Sequence, residues 1–211
     1  MLRALAGAGL GHVQTIAADQ FGNNWPILQA MHEDDELRQA IDIVGTHCGG
    51  PINGRSPPPA NWSAVVSRLW DTEQHLGIPD PNPVPCWEWE AAASLAQVIN
   101  QNYAGANQTA TLIWTPVYSW YDWIAYQGKG LLVANAPWSG NFQVSDTVWT
   151  VAHTTQFVQP GWRYFGPTGN GLLNVTNGPL VTYGSYVSYL SPNGRDVTVV
   201  IETFGATAPQ V

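Results

Sequence analysis

The sequence predicts an α/β chain: the C-terminal half of a (β/α)8 TIM barrel over residues 1–158, then the beginning of an antiparallel β-sandwich over 159–211. Three observations carry this. Short β-branched apolar runs alternate with helical stretches through the first part. Those runs are continuously apolar, as strands covered on both faces are. From about Val158, Gly and Pro become frequent, and an Asn-Gly pair joins two further runs.

The elements follow in order. Met1 to Leu10 reads as the end of a helix closed by Gly9 or Gly11. Its apolar core is too short for a signal peptide, so the chain is expected to begin inside an element. The strand runs are Gln14 to Asp19, Ile41 to His47, Val65 to Glu73 and Thr109 to Trp114. Helical periodicity covers Asn24 to Met31, Asp35 to Ala40 and Trp89 to Asn100. Four such units make half of a (β/α)8 barrel. Gln159-Pro160-Gly161-Trp162 is the expected break. Ser185 to Leu190 and Val197 to Thr203 then form a hairpin through Ser191-Pro192-Asn193-Gly194.

Composition narrows the function. A charged fraction of 10% beside 45% hydrophobic residues excludes a disordered chain. A net charge of −8 with seven Lys and Arg leaves no basic patch, so nucleic acid is not an expected partner. No apolar run approaches the roughly 18 residues of a membrane helix. Eleven Trp and eight Tyr fill cores and also suit the stacking of sugar rings, which present an apolar C–H face. His12, His32, His47, His75 and His153 show no ligand spacing, so no metal is expected. The two cysteines, Cys48 and Cys86, make no disulfide framework, and whether they pair stays open. Three N-glycosylation sequons start at Asn61, Asn107 and Asn174.

In a barrel the active site gathers at the C-terminal strand ends. Here these are Asp19, His47, Glu73 and Trp114. An Asp there also caps helices, and a His there is often a satisfied core group. Glu73 ends a buried run and precedes a polar loop. The four together point to one pocket. A retaining glycosidase uses two carboxyl groups about 5–5.5 Å apart. Glu73 fits the nucleophile, His47 a partner to it or to a sugar hydroxyl, and Trp114 a platform under the ring. Asp19, two strands away, is expected to lie too far round the barrel to be the acid. Glu88 and Glu90 read as solvated charges.

Longer blocks carry a resemblance. Leu69-Trp70-Asp71-Thr72-Glu73, Ile99-Asn100-Gln101-Asn102-Tyr103, Pro137-Trp138-Ser139-Gly140 and the stretch from Ala152 to Trp162 resemble the galactocerebrosidase family, family 59 of the glycoside hydrolases. Ile16 to Asp19, Asp42 to His47, Gly184 to Val187 and Val200 to Thr203 fit the same family. The resemblance implies a barrel followed by a β-sandwich, and hydrolysis of terminal β-galactose from a galactosylceramide-like galactolipid or another β-galactoside, with retention and no cofactor. It implies Glu73 as nucleophile on the seventh strand, and Trp114 and Tyr126 lining the galactose pocket. The family's acid/base Glu sits in an Asn-Glu pair on the fourth strand, expected upstream of Met1. The family is lysosomal in animals, or secreted.

The chain departs from the family at Cys48, where Tyr is usual, in the loop Gln74-His75-Leu76 and over Ile78 to Ala96. These positions border the pocket and leave the aglycone open. Half a barrel also leaves an open edge, so self-association and inactivity of the isolated chain are expected. Two further readings fit the same residues: another retaining barrel glycosidase such as a glucosylceramidase relative, and a galactose-binding protein without catalysis.

Overall fold

The computed structural model describes residues 2–21, 25–48, 57–75, 91–119, 130–134, 136–165, 169–175 and 182–204. Helix α1 (Leu2–Gly7) ends at Gly9, whose φ of +74° is the left-handed turn that glycine enters without steric cost. Strand β1 (Ile16–Ala17) is two residues, shorter than its apolar run. Ala18 has φ +66°, and that left-handed residue stops the strand and turns the chain toward Asp19.

Helix α2 (Pro26–Glu33) starts with Pro at its first turn, where a missing N–H costs nothing. It buries Leu28 and Met31, one turn apart. Helix α3 (Asp35–Ala40) is capped by Asp34, whose Oδ1 accepts the Leu37 N–H at 3.0 Å. The buried strand β2 (Ile43–His47) follows. Val65 and Val66 are buried but lie outside β3 (Leu69–His75), because a 3-10 turn at Trp62–Ala64 occupies the preceding residues. Helix α4 (Ala91–Ala106) leads into β4 (Gln108–Trp114). The four strands are parallel and ordered as in the chain, β1-β2-β3-β4. Trp25, Leu28, Met31, Val44, Val65 and Leu69 form the core between α2 and the sheet.

A second, three-stranded sheet follows: β5 (Val117–Ser119), β6 (Leu132–Ala134) and β7 (Gln143–Val144), with β5 parallel and β7 antiparallel to β6. Helix α5 (Asp146–Thr155) is tied to α4 by the Thr150 hydroxyl, which donates to the Ala92 carbonyl at 2.9 Å. The β-rich part is antiparallel. The long strand β10 (Thr182–Leu190) pairs with β11 (Val197–Glu202), with β9 (Asn170–Val175) and with β8 (Arg163–Tyr164). The β10–β11 hairpin turns at Gly194 (φ +71°), and Asn193 Oδ1 accepts the Arg195 N–H at 2.9 Å.

Helix α4 lies between the two larger sheets. Two positions along a helix are about 200° apart, so Asn100 and Asn102 face opposite ways. The Asn100 amide donates to the carbonyls of Ser185 (3.4 Å) and Val200 (3.1 Å) in the antiparallel sheet. The Asn102 amide donates to Asp71 Oδ2 (2.8 Å) and Thr111 Oγ1 (2.9 Å) in the parallel sheet. Tyr103 adds a stack on Tyr164, with ring centroids 3.4 Å apart. Among the described residues no helix is long and apolar enough to cross a membrane.

Candidate active site

The C-terminal ends of β1, β2 and β3 lie side by side, and the site is built from what each end does to its side chains. Along β3 the usual alternation sets Leu69 and Asp71 on the face covered by helices: Leu69 joins the α2 core, and Asp71 meets Asn102 of α4. Strict alternation would send Glu73 the same way. It does not, because the β2–β3 register slips: Thr46 pairs with Asp71, but His47 pairs with Glu73, leaving Thr72 as an extra residue. Such a bulge re-aims side chains. Both Thr72 and Glu73 consequently reach the groups at the ends of β1 and β2.

Those groups form a chain of contacts. Asp19 Oδ1 lies 3.0 Å from His47 Nε2 and accepts the Thr72 hydroxyl at 2.6 Å. On the other side of the ring, His47 Nδ1 lies 3.6 Å from Glu73 Oε2, close enough for ion pairing but beyond a good hydrogen bond. The imidazole therefore has a carboxyl group at each nitrogen. The expectation that Asp19 stands apart from Glu73 needs this amendment: the strands are not adjacent, yet His47 spans them. The side chain of Glu73 is 30% exposed, so an incoming molecule can touch it, whereas Asp71 is wholly buried and cannot meet one.

Gly45 permits the close approach. A Cβ there would lie 2.7 Å from Thr72 Cγ2 and 2.9 Å from its hydroxyl oxygen. Gly45→Ala is expected to push Thr72 off Asp19 and to destabilise the chain by about 1–3 kcal/mol, the usual cost of overpacking. Denaturant titration reads the loss of stability; an unchanged midpoint contradicts the close packing.

The remaining sequence candidates are distributed as follows. Trp114 is half-buried at the end of β4, where it pairs in register with His75, two residues beyond Glu73 on the neighbouring strand. Tyr126, Glu88 and Glu90 lie outside the described residues. Cys48, with φ +50°, directly follows His47 and is disulfide-bonded; the other cysteine of the sequence, Cys86, lies outside the described residues.

Sequence reasoning missed Asp71. Burial raises its pKa to about 7, against the lowering influence of the Asn102 amide and of the Glu73 and Cys48 backbone N–H groups, while the neighbouring Glu73 charge raises it further. An Asp two residues after the buried Leu69, on the same face of the strand, was the available signal. A separate groove of about 900 Å³ runs between α4, α5 and β11, and none of Asp19, His47 or Glu73 lines it.

The geometry can be set beside known proteins. The family model for Glycosyl hydrolase family 59 matches residues 1–156, a stretch that takes in all four parallel strands and α5. The galactocerebrosidase of Salmo salar is 36% identical over 197 residues, covering 93% of this chain and 26% of that protein. That of Mus musculus is 35% identical, covering 92% and 25%, and that of Homo sapiens is 33% identical, again covering 92% and 25%. The chain thus spans about a quarter of the length of the curated relatives it matches. Among solved structures, the endo-β1,6-glucanase BT3312 superimposes with a TM-score of 0.50 at 14% identity, over 93% of this chain and 47% of that one, a likeness of fold alone.

Proposed function

The chain belongs to glycosyl hydrolase family 59, and from that premise we propose that it supplies the nucleophile half of a retaining β-galactosidase acting on a galactolipid or a related β-galactoside. The observation that carries the reading is Glu73: a carboxylate at a strand end, partly exposed and backed by the His47–Asp19 pair. In this reading the four parallel strands are strands five to eight of a (β/α)8 barrel, and the antiparallel strands begin a β-sandwich. Strand order equal to chain order supports the first assignment.

Glu73 attacks the anomeric carbon from below the ring and displaces the aglycone oxygen, giving a glycosyl-enzyme. A second carboxyl group protonates that oxygen as it leaves, then takes a proton from the water that releases the sugar. The family resemblance assigns this second group to a Glu in an Asn-Glu pair on the fourth strand of the barrel. His47 orients the Glu73 carboxylate, and Trp114 offers an apolar plate one strand away. Tyr126 is assigned to the same pocket by the resemblance. A lysosomal or secreted setting follows from the same resemblance.

The test is covalent trapping. A 2-deoxy-2-fluoro-galactoside with a good leaving group needs the nucleophile and the galactose pocket and little help from the acid. Peptide mass spectrometry of the treated chain should find the sugar on Glu73. A label on another carboxyl group would remove Glu73 from the role. Galactose binding without any label, in this chain and in a chimera that places it within the mouse relative, would favour the binding-protein reading instead.

A further inference from the structure

Asp71 is a buried carboxyl group that the proposed chemistry leaves unused. Its Oδ1 accepts the Cys48 backbone N–H at 3.2 Å, and its Oδ2 accepts the Asn102 amide at 2.8 Å. The backbone N–H of Glu73 donates to the same carboxyl group. A carboxylate has about four lone-pair sites, enough for three such donors. Two of the donors matter for the site. Cys48 directly follows His47, and Glu73 is the proposed nucleophile. At the bulge the extra residue Thr72 leaves one direct backbone bond, from the Cys48 N–H to the Glu73 carbonyl at 3.1 Å. Asp71 shares that donor and adds the bond from the Glu73 N–H, so its carboxyl group reinforces the link at the point where both side chains must be aimed.

Stability alone gives a poor account of Asp71. Moving a carboxylate out of water is costly, and an apolar side chain of similar size would fill a buried strand position at lower cost. We infer that Asp71 is a positioning residue for the reaction proposed above: its carboxylate clamps the backbones of Cys48 and Glu73 together and so fixes how His47 meets the nucleophile. The clamp is anchored outward, because Asn102 also bonds Thr111 Oγ1 at 2.9 Å and thereby ties the carboxylate to both α4 and β4. These anchors are neutral, and the charged neighbour acting on Asp71 is Glu73. The consequence for catalysis rests on the proposed function; the clamp itself does not.

Two measurements separate the two ideas. In the isotope-labelled wild-type chain, the amide protons of Cys48 and Glu73 should shift with the same midpoint as the Asp71 carboxyl carbon as pH is raised from about 5 to about 9. The Val44 amide, bonded to the Arg68 carbonyl, should stay still. Amide shifts that stay flat through the Asp71 titration overturn the clamp, and no variant has to fold for that result. The second measurement compares wild type with Asp71→Asn in the fluoro-galactoside reaction. The first-order inactivation constant should fall about tenfold or more with the inhibitor affinity unchanged, as expected when a nucleophile is misaimed. A purely structural role would lower the melting temperature and leave that constant alone, which would overturn the inference. If neither the wild-type chain nor the chimera with the mouse relative takes a label while both amides follow Asp71, the proposed function fails and the clamp stands.

Discussion

Glu73→Gln is expected to abolish trapping by the fluoro-galactoside and to lower kcat/KM for aryl β-galactosides by at least about 10⁴-fold, the scale on which nucleophile removal acts. The turnover is best measured in a chimera that places this chain within the mouse galactocerebrosidase, which supplies the rest of the family's length. Gln keeps the size and polarity of Glu but cannot form the glycosyl-enzyme. The side chain is 30% exposed, so folding stability should move by less than about 0.5 kcal/mol. A second substitution sharpens the result. Glu73→Gly opens space for a small anion, and added azide should restore turnover and yield the α-galactosyl azide, since azide attacks from the face the carboxylate vacated. Turnover of Glu73→Gln within tenfold of the parent would remove Glu73 from the mechanism.

The second large effect is on stability against pH. Folding raises the Asp71 pKa from 3.8 to about 7. Below about pH 4 both folded and unfolded chains hold this proton, so Asp71 makes no pH-dependent contribution. As pH rises from there, the unfolded chain loses the proton while the folded chain keeps it, and stability falls. The loss is complete above pH 7 and amounts to about 4 kcal/mol, at about 1.4 kcal/mol per pH unit over the roughly three units between the two values. Glu202 is also raised, chiefly by burial and against the lowering bonds from Ser185 and the Phe204 N–H, and it tilts the curve the same way. Urea midpoints taken across this range should therefore decline toward neutral pH. Asp71→Asn should flatten the greater part of the decline, and an equally steep slope in the variant would assign it to other groups. Taken with the clamp, the carboxylate that aims the nucleophile is also one the fold would be more stable without.

The sequence made the first sheet legible because its strands are long enough to show their character. β2 and β4 fall on the runs read from the sequence, while β3 begins at Leu69, inside its run, and extends past Glu73 to His75. β1 is shorter than its run because the left-handed backbone at Ala18 is a tertiary choice that no apolar pattern encodes. β5, β6 and β7 are two or three residues each, too short to display a period, and their sheet was not anticipated. At the site, strand-end placement was enough to select Asp19, His47, Glu73 and Trp114. The contact that links Asp19 to Glu73 through His47 was beyond reach, because it depends on a one-residue slip in the β2–β3 register. A slip of that kind is set by the packing of both strands and leaves no mark in the residue types of either.

Helix α4 carries a consequence for how the molecule comes apart. Its two buried amides grip one sheet each, and its Tyr103 ring lies flat on a tyrosine of β8. Composition changes near residue 158, but the packing across that point is continuous through this helix. The two sheets should consequently melt as one cooperative unit. Ending the chain at Val158 would strip partners from Asn100 and Tyr103 and loosen the helix that anchors Asp71, so the shortened chain should lose protection in the parallel strands as well, far from the cut.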